Sequence, residues 1–238
     1  MKEEQQITDR YTVADLEKWS EITRDVDPPI RLGIFGDPVA HSLSPQMQNA
    51  ALRAFGINTQ YARFHIRPNE LRLALRFIRE LDFIGINLTV PHKIGGLTQI
   101  DAADESASRC GAVNTLRLHE NKLIGANTDA EGFSRAVRSE FSIDLRDLRV
   151  MILGAGGGTG RAIAWQCALE NCERLVLVNR TLAKTNVLRD ELRSFFAGPR
   201  VLGPVARLEA VQWDETVVRA QLADIDLIVN ATPLGMNP

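Results

Sequence analysis

Polar side chains suited to binding a ligand interrupt an otherwise apolar run, residues 84–90. Asn87 and Thr89 stand two residues apart in this run, and Lys93 follows shortly after Pro91. The two-residue period of a strand places Asn87 and Thr89 on one side, and Pro91, which cannot donate to a sheet, ends the strand before Lys93. Because open α/β sheets bind ligands at the carboxyl ends of their strands, the pattern predicts a binding site. A simpler interpretation stays open, in which the two polar residues satisfy backbone groups and Lys93 is solvated.

A second polar pair, Ser42 and Ser44, precedes a predicted helix from about Gln46 to Phe55. Ser44 is predicted to be its N-cap, and Pro45 fits the first helical position. Backbone N–H groups and the helix dipole favour an anion there, so a substrate carboxylate would fit. Capping alone explains Ser44 and Pro45 but gives no reason for Ser42. The sequence leaves both interpretations open.

A glycine-rich turn follows the predicted buried strand 149–153. It reads Gly154-Ala155-Gly156-Gly157-Gly158-Thr159-Gly160, and a predicted helix and a second strand, 174–178, come after it. This order predicts a dinucleotide-binding unit, in which glycines let the backbone approach the pyrophosphate and the helix N-terminus holds its charge. The strict fingerprint is not met, because Thr159 occupies the third-glycine position. A plain tight turn does not explain five glycines in seven residues.

The residues at the end of the second strand indicate whether NAD or NADP is bound. An NAD enzyme places an acidic residue there to accept a hydrogen bond from the ribose 2′-hydroxyl. Asn179, Arg180 and Thr181 stand there instead, and Lys184 follows one turn later. Two cations and no carboxylate favour a 2′-phosphate, and the sequence therefore predicts NADP. Solvated charges at a helix start are the alternative, which leaves the missing acid unexplained.

The elements that position these residues alternate between strands and helices, which predicts an α/β protein. We expect a polar lead-in or linker over residues 1–30, with a short amphipathic piece near 13–22. A substrate-binding catalytic domain over 31–130 follows, including a β-hairpin formed by 112–118 and 122–126. Residues 131–238 are predicted to form a Rossmann-like, doubly wound cofactor domain. We expect this domain to be incomplete, because such a half normally continues with more strands.

Composition excludes several other classes of function. The 238 residues are 45% hydrophobic and 24% charged, with a formal net charge of −2. This is ordinary globular composition, with no sign of a nucleic-acid or membrane partner. The first thirty residues lack the apolar core of a secretory signal. Three cysteines suit a reducing cytoplasm, and the four scattered histidines make a metal site unexpected.

Several separated motifs, taken in order, resemble the shikimate dehydrogenase family. They are His41-Ser-Leu-Ser-Pro45, Asn87-Leu-Thr-Val-Pro-His-Lys93, Gly111-Ala-Val-Asn-Thr115, Asn127-Thr-Asp129, the glycine turn, Asn179-Arg-Thr181 and Asn230-Ala-Thr232. The resemblance extends from about Leu32 to Met236. It implies an NADPH-dependent reduction of 3-dehydroshikimate to shikimate in the biosynthesis of aromatic amino acids.

The resemblance also implies roles for individual residues. Lys93 would be the catalytic acid/base and Asp129 its partner. The substrate would be bound by Ser42 and Ser44 at its carboxylate, and by Thr89, Asn114 and Asp129, with Asn87 beside them, at its ring hydroxyls. The cofactor would be bound by Glu105, Gly154, Ala155, Gly156, Gly157, Gly158, Asn179, Arg180, Thr181, Lys184 and Thr232.

The sequence departs from the family at its carboxyl end, where a tyrosine-bearing strand, a glycine-rich segment and a helix with Gln are missing. We therefore expect a fragment of a longer reading frame, with activity weak or absent if Pro238 is the true end. Residues 11–30 resemble the segment that joins dehydroquinate dehydratase to shikimate dehydrogenase in fused enzymes. Formation of a homodimer is left open.

Three competing interpretations follow from the same motifs. An NAD-dependent quinate/shikimate dehydrogenase is disfavoured by Arg180 and the absence of a nearby acid. The presence of both Lys93 and Asp129 argues against a non-catalytic relative, whereas the missing carboxyl-terminal elements argue for one. The cofactor half also resembles that of glutamyl-tRNA reductase, but that enzyme requires a catalytic cysteine, and Cys110 lacks the context of a nucleophile.

Overall fold

The structure is a computed structural model that describes residues 10–198 and 206–235. The chain divides into two compact units. The first comprises the described part of Met1–Ser108 together with Val113–Ala126, and the second comprises Arg109–Ala112 and the described part of Asn127–Pro238. The first nine residues of the expected lead-in and the last three of the expected cofactor domain lie outside the described residues. Within the described ranges, none of the helices has the length and hydrophobicity that a membrane-spanning segment needs.

Helices and strands largely alternate along the described part of the chain. The helices are α1 Val13–Glu17, α2 Trp19–Ile22, α3 Ser44–Ala54, α4 Leu71–Glu80, α5 His92–Leu97, α6 Glu105–Cys110, α7 Asp129–Phe141, α8 Gly158–Leu169, α9 Leu182–Leu192 and α10 Glu215–Gln221. The strands are β1 Ile30–Gly36, β2 Gln60–His65, β3 Gly85–Leu88, β4 Ala102–Ala103, β5 Thr115–His119, β6 Lys122–Ala126, β7 Arg149–Leu153, β8 Arg174–Asn179, β9 Leu208–Gln212 and β10 Leu227–Asn230.

The first unit is built on a mixed sheet of order β2-β1-β3-β5-β6-β4. Strand β1 pairs in parallel with both β2 and β3, whereas β3 pairs antiparallel with β5. Successive residues of β1 are buried on opposite faces: Phe35 joins the large core, and Ile34 packs with Leu52 of α3 on the other face. The sheet is therefore covered on both faces near its centre, as expected for an α/β domain.

The segment before β1, expected to be a polar lead-in or linker, contributes to this core. Leu16 is 1% exposed, and Trp19 packs against Phe64 with ring centroids 5.6 Å apart. Tyr11 extends the sheet edge, since its N–H donates to the carbonyl of Arg63 at 2.9 Å. The segment is polar in composition, but its few apolar residues pack against β2, Phe83 and α4.

Local signals predict most elements of this unit. The hairpin is confirmed, with β5 and β6 paired antiparallel from Thr115–Ala126 to His119–Lys122. The predicted strand 84–90 is shorter in the structure, where β3 ends at Leu88. Thr89 N–H still donates to the carbonyl of Phe35 in β1, and the Val90 carbonyl accepts from Asp37 N–H just after β1, both at 2.9 Å. Between β3 and β5 the chain forms two short helices, since α5 ends at Leu97 and the short strand β4 precedes α6.

The second unit has a fully parallel sheet of order β10-β7-β8-β9. Because β7 is followed by β8 on one side and paired with β10 on the other, the strand order reverses at β7, which is where doubly wound sheets bind their ligands. This confirms the predicted α/β fold with a Rossmann-like unit. The sequence did not predict β9, whose residues are mostly half-buried at the sheet edge.

Candidate functional site

The carboxyl end of β3 positions the polar residues of the apolar run. Asn87 is half-buried between the buried Ile86 and Leu88, as strand alternation predicts. Thr89 lies just beyond the strand, where a Cβ added at Gly36 would come within 2.5 Å of its Cγ2 atom. Glycine at position 36 is therefore what allows Thr89 to close against β1.

Lys93 is the second residue of α5, immediately after the buried His92. Its backbone carbonyl accepts a hydrogen bond from Val113 N–H at 2.8 Å. The His92 Nε2 atom lies 2.7 Å from the carbonyl of Ile66. Burial lowers the pKa of His92, although the bond to Ile66 and the charge of Asp37 oppose the shift. A neutral imidazole therefore anchors the turn that carries Lys93.

The two serines meet at the start of α3, but not as predicted. Helix α3 begins at Ser44 itself, Leu43 precedes it, and the N-cap makes no side-chain bond, so the prediction of Ser44 as the N-cap is wrong. The Ser44 N–H donates instead to Ser42 Oγ at 3.3 Å, and Ser42 Oγ donates to Ser44 Oγ at 3.1 Å. Arg63 Nε holds the carbonyl of Ser42 at 2.8 Å. The side-chain oxygen that accepts a backbone N–H at the start of α3 is therefore that of Ser42, not that of Ser44 as predicted.

The two asparagines of the predicted substrate site are linked through the strands that carry them. Asn87 Nδ2 donates to the carbonyl of Asn114 and to Thr115 Oγ1, both at 3.1 Å. Thr115 Oγ1 donates in turn to Asn114 Oδ1 at 2.9 Å. Tyr61 completes the arrangement, because its hydroxyl donates to Asn87 Oδ1 at 2.7 Å. The first unit therefore links Ser42 with Ser44, and Asn87 with Asn114, in two hydrogen-bonded sets of polar groups.

Asp129 is the first residue of α7 and belongs to the second unit, whereas Lys93 belongs to the first. Its N–H donates to Asn127 Oδ1 at 3.0 Å, and Asn127 is itself held by the carbonyl of Ala112 at 3.0 Å. Thr159 Oγ1 donates to Asp129 Oδ2 at 3.2 Å. Thr159 and Asn127 therefore hold the side chain and the backbone of Asp129 at the start of α7.

The glycine turn occupies the strand-order reversal of the second sheet. Gly154 has φ of +83°, and a Cβ added there would lie 2.8 Å from Thr232 Cγ2, which follows β10. Gly157 is the N-cap of α8, and Gly158 is its first residue. The turn and Thr232 therefore converge at the carboxyl ends of β7 and β10, with the α8 N-terminus directly behind, as a bound pyrophosphate requires.

The residues after β8 border the same turn. A Cβ added at Gly156 would lie 2.9 Å from Lys184 Cβ and 3.1 Å from Asn179 Nδ2. The Asn179 amide donates to the carbonyl of Thr181 at 3.1 Å, and Arg180 is exposed. No acidic residue occurs between Asn179 and Lys184. The donor set therefore fits a 2′-phosphate better than a free ribose hydroxyl.

Glu105 and Cys110 lie at the two ends of α6. Glu105 is exposed and lies in the first unit, whereas the other predicted cofactor residues lie in the second. Cys110 is 2% exposed, and burial raises the pKa of its thiol. A buried neutral thiol is a poor nucleophile, which removes the basis for the glutamyl-tRNA reductase alternative.

Sequence reasoning missed several residues that organise the site. Tyr61, Arg63 and Thr115 hold the predicted substrate residues, and Gly160 rather than position 159 provides the close packing of the third glycine. A Cβ added at Gly160 would lie 2.5 Å from the carbonyl oxygen of Gly154. The only sequence signal for Tyr61 is a hydroxyl within a buried strand, which must find a partner.

Comparisons with known proteins identify the family of the chain. A family model described as the shikimate dehydrogenase substrate binding domain matches residues 34–116. A curated protein of Methanopyrus kandleri, described as shikimate dehydrogenase (NADP(+)), is 41% identical over 207 residues, which are 87% of this chain and 68% of that protein.

Solved structures give the same result. A shikimate dehydrogenase crystallised in complex with NADP+ has a TM-score of 0.74 at 34% identity, covering 87% of this chain and 68% of that one. A shikimate 5-dehydrogenase of Thermus thermophilus, in complex with NADP(H) and shikimate, has a TM-score of 0.70 at 35% identity, covering 87% and 69%. Fold and sequence therefore point to one family.

Proposed function

The chain belongs to the shikimate dehydrogenase family, and we propose that it catalyses the NADPH-dependent reduction of 3-dehydroshikimate to shikimate. The observation that carries the proposal is the similarity over 87% of the chain to a protein described by this activity. The site supports it, because polar residues of the first unit suit a hydroxylated acid and the glycine turn of the second suits a dinucleotide.

We assign substrate binding to residues of the first unit. Ser42 and Ser44 donate hydrogen bonds to the substrate carboxylate at the start of α3. Asn87, Thr89 and Asn114 bind the ring hydroxyls. These groups orient the C3 carbonyl for reduction, and orientation is a large part of what the protein contributes to such a reaction.

We assign proton transfer to Lys93, with Asp129 as its partner carboxylate. When bound, NADPH supplies the hydride that reduces the C3 carbonyl. Lys93 Nζ gives a proton to the carbonyl oxygen as negative charge develops on it, so that the carbonyl becomes an alcohol, and solvent then reprotonates the amine. In the reverse direction, the neutral amine takes the proton from the substrate hydroxyl.

We assign cofactor binding to the glycine turn, Thr232 and the residues after β8. The backbone N–H groups of Gly156 and Gly158 would hold the pyrophosphate at the α8 N-terminus, while the Gly157 N–H donates to the Gly154 carbonyl within the turn. Arg180 and Lys184 pair with the 2′-phosphate, while Asn179 and Thr181 support them. We also propose that Glu105 lies near the cofactor, on the basis of the family resemblance alone.

We also propose that the enzyme acts in the cytoplasm. Its three cysteines, Cys110, Cys167 and Cys172, are buried thiols outside any disulfide, which suits a reducing compartment. A homodimer is the proposed oligomeric state, and light scattering of the purified protein would test it. A scattering mass equal to one chain would contradict the dimer without affecting the catalytic proposal.

The activity is tested with protein produced from its complete reading frame. NADPH absorbance is followed with 3-dehydroshikimate, and NADP+ reduction is followed with shikimate. Turnover is expected in both directions, and NADH should be the poorer substrate. Lys93→Ala should lower kcat by about 100-fold or more while NADP+ binding is retained.

Lys122→Ala is the matched control, since Lys122 is an exposed lysine on the hairpin of the same unit and should leave kcat unchanged. Absence of turnover with either cofactor would contradict the proposed reaction. Near-normal kcat in Lys93→Ala would contradict the role given to Lys93 alone.

A further inference from the structure

A continuous row of hydrogen-bonded side chains runs across one face of the first sheet and includes the asparagines assigned to the ring hydroxyls. Its members are Tyr61, Asn87, Thr115 and Asn114. Tyr61 and Thr115 are the two members with no role in the proposed reaction.

The strand register explains why these residues meet. Tyr61 on β2 is paired with Leu32 of β1, and Asn87 on β3 is paired with Ile34. Leu32 and Ile34 are two residues apart and therefore point to the same face. Asn87 is directly opposite Thr115 in the antiparallel pair of β3 and β5. A one-residue slip in any pair would move its member of the row to the other face.

Tyr61 is fixed firmly enough to direct its neighbours. Its ring packs with Ile34, Val39 and Leu52, and the residue is 5% exposed. Burial raises the pKa of its phenol far above the ordinary value of 10.0, and a hydrogen bond with the Ser44 side chain opposes this shift. The hydroxyl is therefore neutral at any working pH, and it has one proton to donate.

That proton goes to Asn87 Oδ1, at 2.7 Å. The Asn87 amide is thereby held with its Nδ2 atom toward β5, where it donates to Thr115 Oγ1 and the Asn114 carbonyl. Thr115 also fixes the orientation of the Asn114 amide, because its hydroxyl donates to Asn114 Oδ1 at 2.9 Å. Each amide consequently has a defined acceptor end and a defined donor end.

We propose that Tyr61, acting through Thr115 as well as directly, is a positioning residue that fixes the amide orientations of Asn87 and Asn114 and so sets the selectivity of the site for a hydroxylated ring. The inference rests on the proposed function, since it specifies how that same substrate is recognised. Tyr61 is not assigned any contact with the substrate, so its effect is indirect.

The chemical consequence is a difference between ligands. Without the Tyr61 hydroxyl, Asn87 Oδ1 loses a partner inside the protein, and its amide can rotate away from the orientation that matches ring hydroxyls. A ligand with hydroxyls then loses affinity, because a site built to bond them is no longer preorganised. A ligand that carries only the carboxylate should lose almost nothing.

The test compares Tyr61→Phe with Tyr11→Phe in protein produced from the complete reading frame. Tyr11 is the only other tyrosine of the sequence, it is also buried in the first unit, and it is outside the row. Calorimetric titrations measure Kd for shikimate, for cyclohex-1-ene-1-carboxylate, which has no ring hydroxyl, and for NADP+.

In Tyr61→Phe we expect the Kd for shikimate to rise about tenfold, and the other two Kd values to stay within about twofold. Tyr11→Phe should leave all three unchanged. Thr115→Val should reproduce the shikimate-specific loss and Thr115→Ser should restore affinity, which keeps the inference testable if Tyr61→Phe does not fold.

The outcomes separate the two proposals. An unchanged shikimate Kd in both Tyr61→Phe and Thr115→Val, with wild-type protein binding shikimate normally, would overturn the positioning role alone. Equal losses for both carboxylate ligands would also overturn it, because they would indicate a general structural defect. Wild-type protein that binds no shikimate would overturn the proposed function and, with it, this inference.

Discussion

Thr159 Oγ1 donates a hydrogen bond to Asp129 Oδ2 across 3.2 Å. Thr159 is the second residue of α8, directly after the glycine turn, and Asp129 is the first residue of α7. The helix that begins at the proposed cofactor site therefore holds the carboxylate assigned to proton transfer. Thr159, which stands at the third-glycine position of the dinucleotide fingerprint, thus bonds to Asp129, and Gly160 provides the close packing against the turn.

Thr159→Val should lower kcat about tenfold, because it keeps the branched shape but removes the donor that orients the Asp129 carboxylate. The KM for NADPH should change little, since the glycine turn is untouched. Steady-state kinetics measure both values. Thr159→Ser should retain wild-type kcat, and an unchanged kcat in the valine variant would argue against any orienting role.

Arg180→Ala should raise the KM for NADPH about tenfold and leave the KM for NADH nearly unchanged. The guanidinium is expected to pair with the 2′-phosphate that only NADPH carries. Comparing the two cofactors in the same preparation measures the effect. Arg189→Ala on the neighbouring helix α9 is the control and should alter neither value. Equal losses with NADPH and NADH would contradict the assignment.

Gly160→Ala should lower the free energy of unfolding by about 1–3 kcal/mol. The new methyl group would lie 2.5 Å from the Gly154 carbonyl oxygen and 2.7 Å from Ala155 Cα, which are backbone atoms that cannot easily move. Gly132 in α7 is the matched control, since nothing lies within 4 Å of a Cβ there.

Gly132→Ala should stabilise the protein by about 0.5–1 kcal/mol through helix propensity. Thermal unfolding of both variants measures the difference. A Gly160→Ala variant as stable as the wild type would contradict the close contact between α8 and the turn.

The buried His92 should make the free energy of unfolding decrease at acid pH. Burial lowers its folded-state pKa below the ordinary value of 6.5, so the unfolded chain binds the proton more readily. Its contribution is therefore fully present above pH 6.5 and is lost as the pH falls through that value toward the folded-state pKa, with a slope of at most about 1.4 kcal/mol per pH unit.

Unfolding by urea at several pH values from about 5 to 8 measures this slope. His92→Gln, which keeps a donor for the Ile66 carbonyl, should flatten the acid-side loss. His119→Gln is the control, because His119 is exposed on the hairpin. A slope that is identical in wild type and His92→Gln would contradict the neutral, buried imidazole.

Several features could be predicted from local signals alone. Pro91 lies between β3 and the start of α5, two adjacent turn residues close the hairpin of β5 and β6, and consecutive glycines after β7 begin α8. Each depends on backbone restrictions of one or a few neighbouring residues, which a sequence states directly. The family resemblance rests on these same short motifs.

Other features depend on partners that are distant in the chain. The segment containing Tyr11 and Trp19 is polar in composition, yet a few apolar side chains suffice to bury it once Phe64 is alongside. Strand β9 alternates weakly and becomes a strand because β8 offers an unpaired edge. The sequence did not identify Ser44 as the first helical residue. Its N–H donates to Ser42 Oγ, and that bond depends on the folded position of the Ser42 side chain.

The sequence by itself thus determined the fold class, the glycine turn, the absence of an acid after β8 and the types of residue that could bind substrate and cofactor. Only the tertiary structure decided that Tyr61 and Thr115 orient the two asparagines, and that Thr159 rather than a third glycine faces Asp129. The physical reason is that hydrogen-bond partners on neighbouring strands and helices are set by register and packing, which bring together residues 26 to 30 positions apart.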